Sequence, residues 1–147
     1  MILFLDTSAF VKLLLREQYT DEVERWFEQA TQLTASVVTY AEACSALCRD
    51  HRVNGTSSSN LEAKVASLDR IWTDVMALPV NERLAGRLAL AHGLRGMDSV
   101  QLAAVSTLRD KLRADAPDVV VSFASFDHRL LTAAEREDLT TLGGALE

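Results

Sequence analysis

Basic residues are in the minority in this chain. Lys and Arg number 15 against 21 Asp and Glu over 147 residues, a formal charge of −6. That balance excludes a broad positive face of the kind that coats nucleic acid, so any contact with a polyanion has to be local. Long apolar runs are also lacking: no stretch approaches the roughly 20 residues of a membrane span. The N-terminal apolar run stops at Asp6 with no basic region before it, unlike a signal peptide. Proline occurs only twice, at Pro79 beside a strand end and at Pro117 where a helix closes. Cysteine is limited to Cys44 and Cys48, four apart, with His51 three further on. They lack a fourth ligand for zinc and read as reduced thiols packed as small apolar groups. The expectation is a soluble, cytoplasmic chain forming a single domain over residues 1–147.

What is present is an ordinary globular composition, 48% hydrophobic and 24% charged, long enough to bury a substantial core. Its most informative stretch is the first ten residues, MILFLDTSAF. Ile2 to Leu5 is too short for a helix and apolar on both faces, as expected of a central strand covered on both sides. Further short strands are expected at Leu33–Val38, Val75–Val80, Val119–Phe123 and Leu139–Leu142. Helices are expected at Ala9–Arg16, Thr20–Gln32, Thr39–Arg52, Leu61–Thr73, Glu82–His92, from Asp98 to about Asp115, and after Asp127. Val53–Asn60 reads as the tip of a helical hairpin. Lys12 and Arg16 would form a cationic stripe on the first helix, and Trp26 reads as core or interface rather than as a base-stacking platform. Strands separated by helices imply right-handed crossovers and a three-layer α/β/α sandwich around a mainly parallel sheet.

Four acids occupy equivalent places, just past an apolar strand or at a helix start: Asp6, Glu42, Asp98 and Asp127. Each has a structural use. Asp6 and Asp127 suit helix N-caps, Thr39–Glu42 has the form of a capping box, and Asp98 with Gln101 is a looser version. Taken together they point elsewhere. Asp6 and Asp127 follow strands that should be central, so both carboxylates fall at the sheet's carboxyl edge, where open α/β sheets bind ligands. Glu42 arrives from the helix beside strand one. Carboxylates gathered this closely repel and raise one another's pKa, and a hard divalent cation relieves that. All-oxygen ligands favour Mg²⁺, with Mn²⁺ as a substitute. Such an ion lowers the pKa of water and neutralises charge on a phosphodiester undergoing hydrolysis.

LDTSAF at the start, TYAEA around Glu42, LRGMDSVQLAA around Asp98 and FASFDHRLL around Asp127 resemble the four motifs of PIN-domain nucleases. The resemblance spans Met1 to about Leu142 and is nearest to the VapC toxins of toxin–antitoxin modules. It implies a Mg²⁺/Mn²⁺-dependent endoribonuclease with a parallel five-stranded sheet, acting as a homodimer and inhibited by a cognate VapB-like antitoxin. It also implies that Asp6, Glu42 and Asp98 bind the metal and Asp127 completes the set. Ser8 matches a hydroxyl that orients the cluster, and hydrolysis would leave a 5′-phosphate. Gln101 stands where many members carry histidine, so no general base is assigned there. Lys12, Arg16, Arg49, Arg95 and Arg129 are the candidates to hold RNA phosphates. His128 is a candidate acid or base, while His51 and His92 have no evident partner.

Two other enzyme or signalling classes fit less well. A haloacid-dehalogenase-type phosphatase needs a second Asp at the position of Ser8, and a receiver-like signalling domain needs an acidic pair after strand one and a Lys after the last strand. A catalytically silent PIN-like binding or scaffold module is the remaining alternative.

Overall fold

A computed structural model describes residues 1–144 of the chain. Side chains leave strand β1 (Ile2–Leu5) alternately to opposite faces. Phe4 enters one buried cluster with Leu102, Val105, Val121, Phe123 and Leu130. Leu3 and Leu5 enter a second, with Phe10, Val23, Leu47 and Leu68. Leu3, Phe4 and Leu5 are all fully buried, as a strand covered on both sides requires.

After β1 the chain forms α1 (Thr7–Phe10), a 3₁₀ turn at Val11–Leu13, α2 (Thr20–Gln29), β2 (Gln32–Ser36), α3 (Val38–Asn54) and α4 (Ser58–Thr73). It continues through β3 (Val75–Leu78), α5 (Glu82–His92), α6 (Gly96–Asp115), β4 (Val121–Ser125), α7 (His128–Arg136) and β5 (Thr140–Gly143). The five strands form one sheet in the order β3-β2-β1-β4-β5, and every neighbouring pair is parallel. The expected α/β/α sandwich is observed, with β1 at its centre and β3, followed directly by Pro79, on an edge.

Several boundaries differ from expectation for local reasons. The first helix begins at Thr7 because the Asp6 carboxylate caps it, accepting from the Ala9 amide. It then tightens into the 3₁₀ turn, which takes Lys12 and Arg16 off a shared stripe. Lys12 is buried and pairs with Glu17, whereas Arg16 is exposed and pairs with Asp21 and Glu24. The expected loop at Val53–Asn60 shrinks to three residues. Gly55 ends α3 in the left-handed region at φ 60°, and the Ser57 hydroxyl caps α4 by accepting from the Asn60 amide. Helix α6 starts two residues before Asp98, and Val119 and Val120 are exposed ahead of β4 rather than part of it. No described helix is long and apolar enough to cross a membrane.

Candidate active site

The strand order reverses direction at the centre of the sheet. From β1 the chain crosses to β2 on one side, while β4 later fills the other. In such sheets a crevice opens beyond the carboxyl ends of the two strands at the switch, here β1 and β4. Asp6 follows β1 directly, Ser125 ends β4, and Asp127 lies two residues on. A cleft of about 480 Å³ opens at this point, and Asp6, Glu42, Asp98 and Asp127 all line it.

Asp6 is the most constrained of the four, with only 4% of its surface exposed. Its Oδ1 accepts from the Ser8 hydroxyl at 2.7 Å and the Ala9 amide at 2.9 Å, and its Oδ2 accepts from the Ser125 hydroxyl at 2.6 Å. Both serines also accept from the loop after β4. Phe126 N–H donates to Ser8 and Asp127 N–H to Ser125. The same hydroxyls therefore aim Asp6 and stitch the ends of β1 and β4 together. Burial raises the Asp6 pKa to about 6, against the lowering effect of its hydrogen bonds and with a further upward push from Asp98. Among the described residues no Lys, Arg or His forms an ion pair with it.

Glu42 is held by neutral groups. The capping box expected at Thr39–Glu42 does not form, because α3 already starts at Val38 with Val37 in helical geometry. Thr39 turns inward instead. The buried Gln101 amide donates to Thr7 Oγ1 at 3.2 Å, Thr39 Oγ1 at 3.1 Å and Glu42 Oε1 at 3.1 Å. Thr7 Oγ1 donates to Glu42 Oε1 at 2.7 Å. Gln101 thus joins α1, α3 and α6 below the cleft floor, a positioning role with no titrating group.

Asp98 and Asp127 form the outer side. Asp127 caps α7, accepting from the Leu130 amide, so its capping use is real. Arg95 reaches Asp98 Oδ2 at 3.3 Å and Asp127 Oδ2 at 3.5 Å with a side chain 78% exposed. The Asp98 pKa is raised, first by burial and then by the charge of Asp127, with Arg95 acting in the opposite direction.

The cleft also contains Ser8, Lys12, Arg49 and Arg95, but neither Arg16 nor Arg129. The two excluded arginines do not belong to the gathered set, and His128 is exposed and outside it too. His92 bonds Glu137 and His51 bonds Thr56. Cys44 is half-buried, but Cys48 is exposed and so not packed as expected. Among the described residues no three acidic, His or Cys side chains converge closely enough to hold an ion as they stand. A slightly larger apolar hollow of about 500 Å³ lies beside β3, lined by Met76, Leu78 and Leu108, with Glu82 its single carboxylate. The sequence offers Thr39 only as a helix cap and gives no sign of Thr7 or Ser125; hydroxyls at or near a strand end carry no periodic signal that separates them from ordinary surface residues.

The sequence matches the PIN domain over residues 3–136. It is 34% identical over 140 residues to "Ribonuclease VapC45" of Mycobacterium tuberculosis, covering 90% of this chain and 89% of that protein. Among solved structures, FitAB bound to a DNA fragment superimposes with a TM-score of 0.64 at 18% identity, covering 100% of this chain and 98% of the other. Mycobacterium tuberculosis VapC20, described as a Sarcin-Ricin loop cleaving toxin, gives 0.59 at 17% identity over 89% and 94%. These structural likenesses concern the fold. With the sequence match over nearly its whole length, they place this chain in the PIN-domain family, among its VapC members.

Proposed function

We propose that this protein is a Mg²⁺- or Mn²⁺-dependent endoribonuclease and the toxin of a type II toxin–antitoxin pair, acting on RNA as a homodimer and held in check by a VapB-like antitoxin. The observation that carries the reading is the buried Asp6. It is a desolvated carboxylate with no cationic partner among the described residues, in one cleft with three other acids. Such a donor set fits a hard divalent ion by its chemistry, being all oxygen and mutually repulsive. Asp6, Glu42 and Asp98 would hold the ion, with Asp127 completing the set. When bound, the ion supplies positive charge to the phosphoryl oxygens and lowers the pKa of water.

The chain's own residues do the rest. Ser8 and Ser125 keep both oxygens of Asp6 in place, and Gln101 with Thr7 holds Oε1 of Glu42. Arg95 and Arg49 line the cleft and would take RNA phosphates, Arg95 exchanging its two carboxylates for one. Gln101 cannot accept a proton at neutral pH, so no general base is expected from that position.

Two measurements test this together. Millimolar Mn²⁺ should raise the melting temperature of the wild type by mass action, and Asp6→Asn and Asp98→Asn should abolish the rise. Purified protein should cut RNA only with Mg²⁺ or Mn²⁺ present. An undiminished thermal shift in both variants, or cleavage that persists in a chelator, would overturn the metal-dependent reading.

A further inference from the structure

Beside the acidic cleft, three aromatic rings form a tier. Tyr19 and Phe126 are parallel within 1° with centroids 5.1 Å apart, and Trp26 lies 6.0 Å from Phe126 at 18°. All three rings line a small cavity of about 120 Å³, together with Glu22 and the backbone of Gly143 and Gly144. Phe126 lines the acidic cleft as well, so the two spaces share a wall. Lys12 Nζ sits between them, 4.7 Å from the centre of the Phe126 ring and part of the cleft lining.

The backbone supports this arrangement at some cost. Tyr19 adopts φ 70°, a left-handed conformation unusual for a side chain of its size. Gly143 is required, because a Cβ there would lie 2.0 Å from the Ser125 carbonyl oxygen. Trp26 is half-buried against the core, as expected from the sequence, yet its ring also borders the cavity. Among the described residues the Tyr19 hydroxyl bonds only Gln18, at an exposed position.

We propose that this aromatic tier is a nucleobase site, taking the base of a single-stranded RNA nucleotide next to the phosphate held in the acidic cleft. The inference rests on the nuclease reading and adds a specificity determinant to it. Stacking on aromatic rings is how unpaired bases are commonly held, and it tolerates any base because each has a π-face. Discrimination falls to Glu22. Its carboxylate only accepts hydrogen bonds, and among the described residues its ion pair is a long 3.8 Å approach by Arg25. A base with an amino group on its Watson–Crick edge (guanine, adenine or cytosine) can donate to it. Uracil offers a single N–H flanked by two carbonyl oxygens, which the carboxylate repels, so uracil is disfavoured. Lys12 would take the connecting phosphate.

The test uses the intact protein with Mn²⁺ and a fully randomised single-stranded RNA, sequencing the new ends. Wild type should disfavour uridine at one position next to the cut, and Glu22→Gln should weaken that bias. Tyr19→Asn removes the ring but tolerates the left-handed backbone. On the preferred RNA it should lower kcat/KM about 10- to 100-fold, the value of one stacked base. An abasic residue at the sensitive position should cost wild type a similar factor and cost Tyr19→Asn nothing more. Equal additional losses in both proteins, or the absence of any base bias in wild type, would overturn the nucleobase site while leaving the nuclease reading intact. A wild type that cuts no RNA would overturn both.

Discussion

The inner and outer sides of the acidic cleft are built on different principles. On the inner side, Asp6 is buried, each of its oxygens is hydrogen-bonded, and the donors are tied to the backbone of the next strand. Glu42 is likewise held by neutral donors from Gln101 and Thr7. On the outer side, Asp98 and Asp127 are joined by one largely exposed arginine at 3.3 and 3.5 Å. Burial makes the charged form of Asp6 costly, and the positions of both inner carboxylates are set in advance by neutral hydrogen bonds. The outer pair is held by a cation that water already screens, so an arriving cation can displace it, or a phosphate can draw it away, at little cost. A site of this kind is preorganised on one side and exchangeable on the other.

The contrast can be broken most severely at the carboxylates themselves. Asp6→Asn and Asp98→Asn should each lower RNA cleavage at least about 10³-fold, since a lost metal site forfeits several kcal/mol of charge stabilisation. Circular dichroism should show both variants folded, because Asn caps α1 about as well as Asp at position 6 and Asp98 lies inside α6 without capping it. A variant that retains wild-type cleavage would remove that residue from the site.

The next largest effect is on stability without metal. The Asp6 pKa is about 6 in the fold against an ordinary 3.8, so the folded state binds more protons between those values. The contribution of Asp6 is therefore most favourable below pH 3.8 and is lost as pH rises through about 6. By linkage the difference between the limits is of order 2–3 kcal/mol. Urea titrations of wild type and Asp6→Asn at several pH values in a chelator should show the variant gaining on wild type as pH rises from 4 to 8. A difference independent of pH would mean that Asp6 is not desolvated.

Ser125→Ala sharpens the same point. It removes the donor to Asp6 Oδ2 and should cost about 1–3 kcal/mol where Asp6 is ionised, and less below pH 6, where the carboxyl is protonated. A midpoint in urea unchanged at pH 8 would show the bond to be inconsequential. The smallest effect belongs to the outer side. Arg95→Gln should change metal-free stability by no more than about 0.5 kcal/mol, as an exposed pair does. Calorimetry should show Mn²⁺ binding a few-fold tighter, because a competing cation has gone, even as kcat/KM for RNA falls. Weaker Mn²⁺ binding would show that Arg95 builds the site rather than guarding it.

Much of this was legible along the chain because it depends on local pattern. The all-apolar Ile2–Leu5 marks the central strand, Glu82–His92 ends at Gly93 as expected, and four acids at strand ends and helix starts mark the cleft. The errors were also local. The first helix is shorter than its apolar pattern implies because a 3₁₀ turn has no distinct apolar period, and the hairpin loop is shorter because some of its polar residues belong to helix ends and a cap. Charge alone does not bring Arg16 or Arg129 to the site: Arg16 follows the 3₁₀ turn and pairs with Asp21 and Glu24, and Arg129 lies exposed on α7.

The sequence by itself determined which strands are buried on both faces and which acids lie at their ends, since apolar runs and breaks are properties of neighbouring residues. Only the tertiary structure decided that Ser125 would bond an aspartate 119 residues away and that Gln101 would bind Glu42 rather than meet solvent. It also decided that Tyr19, Trp26 and Phe126 would stack beside the cleft. Those pairings depend on which strands become neighbours, and parallel pairing is settled by the burial of the whole sheet, not by any short stretch of the chain.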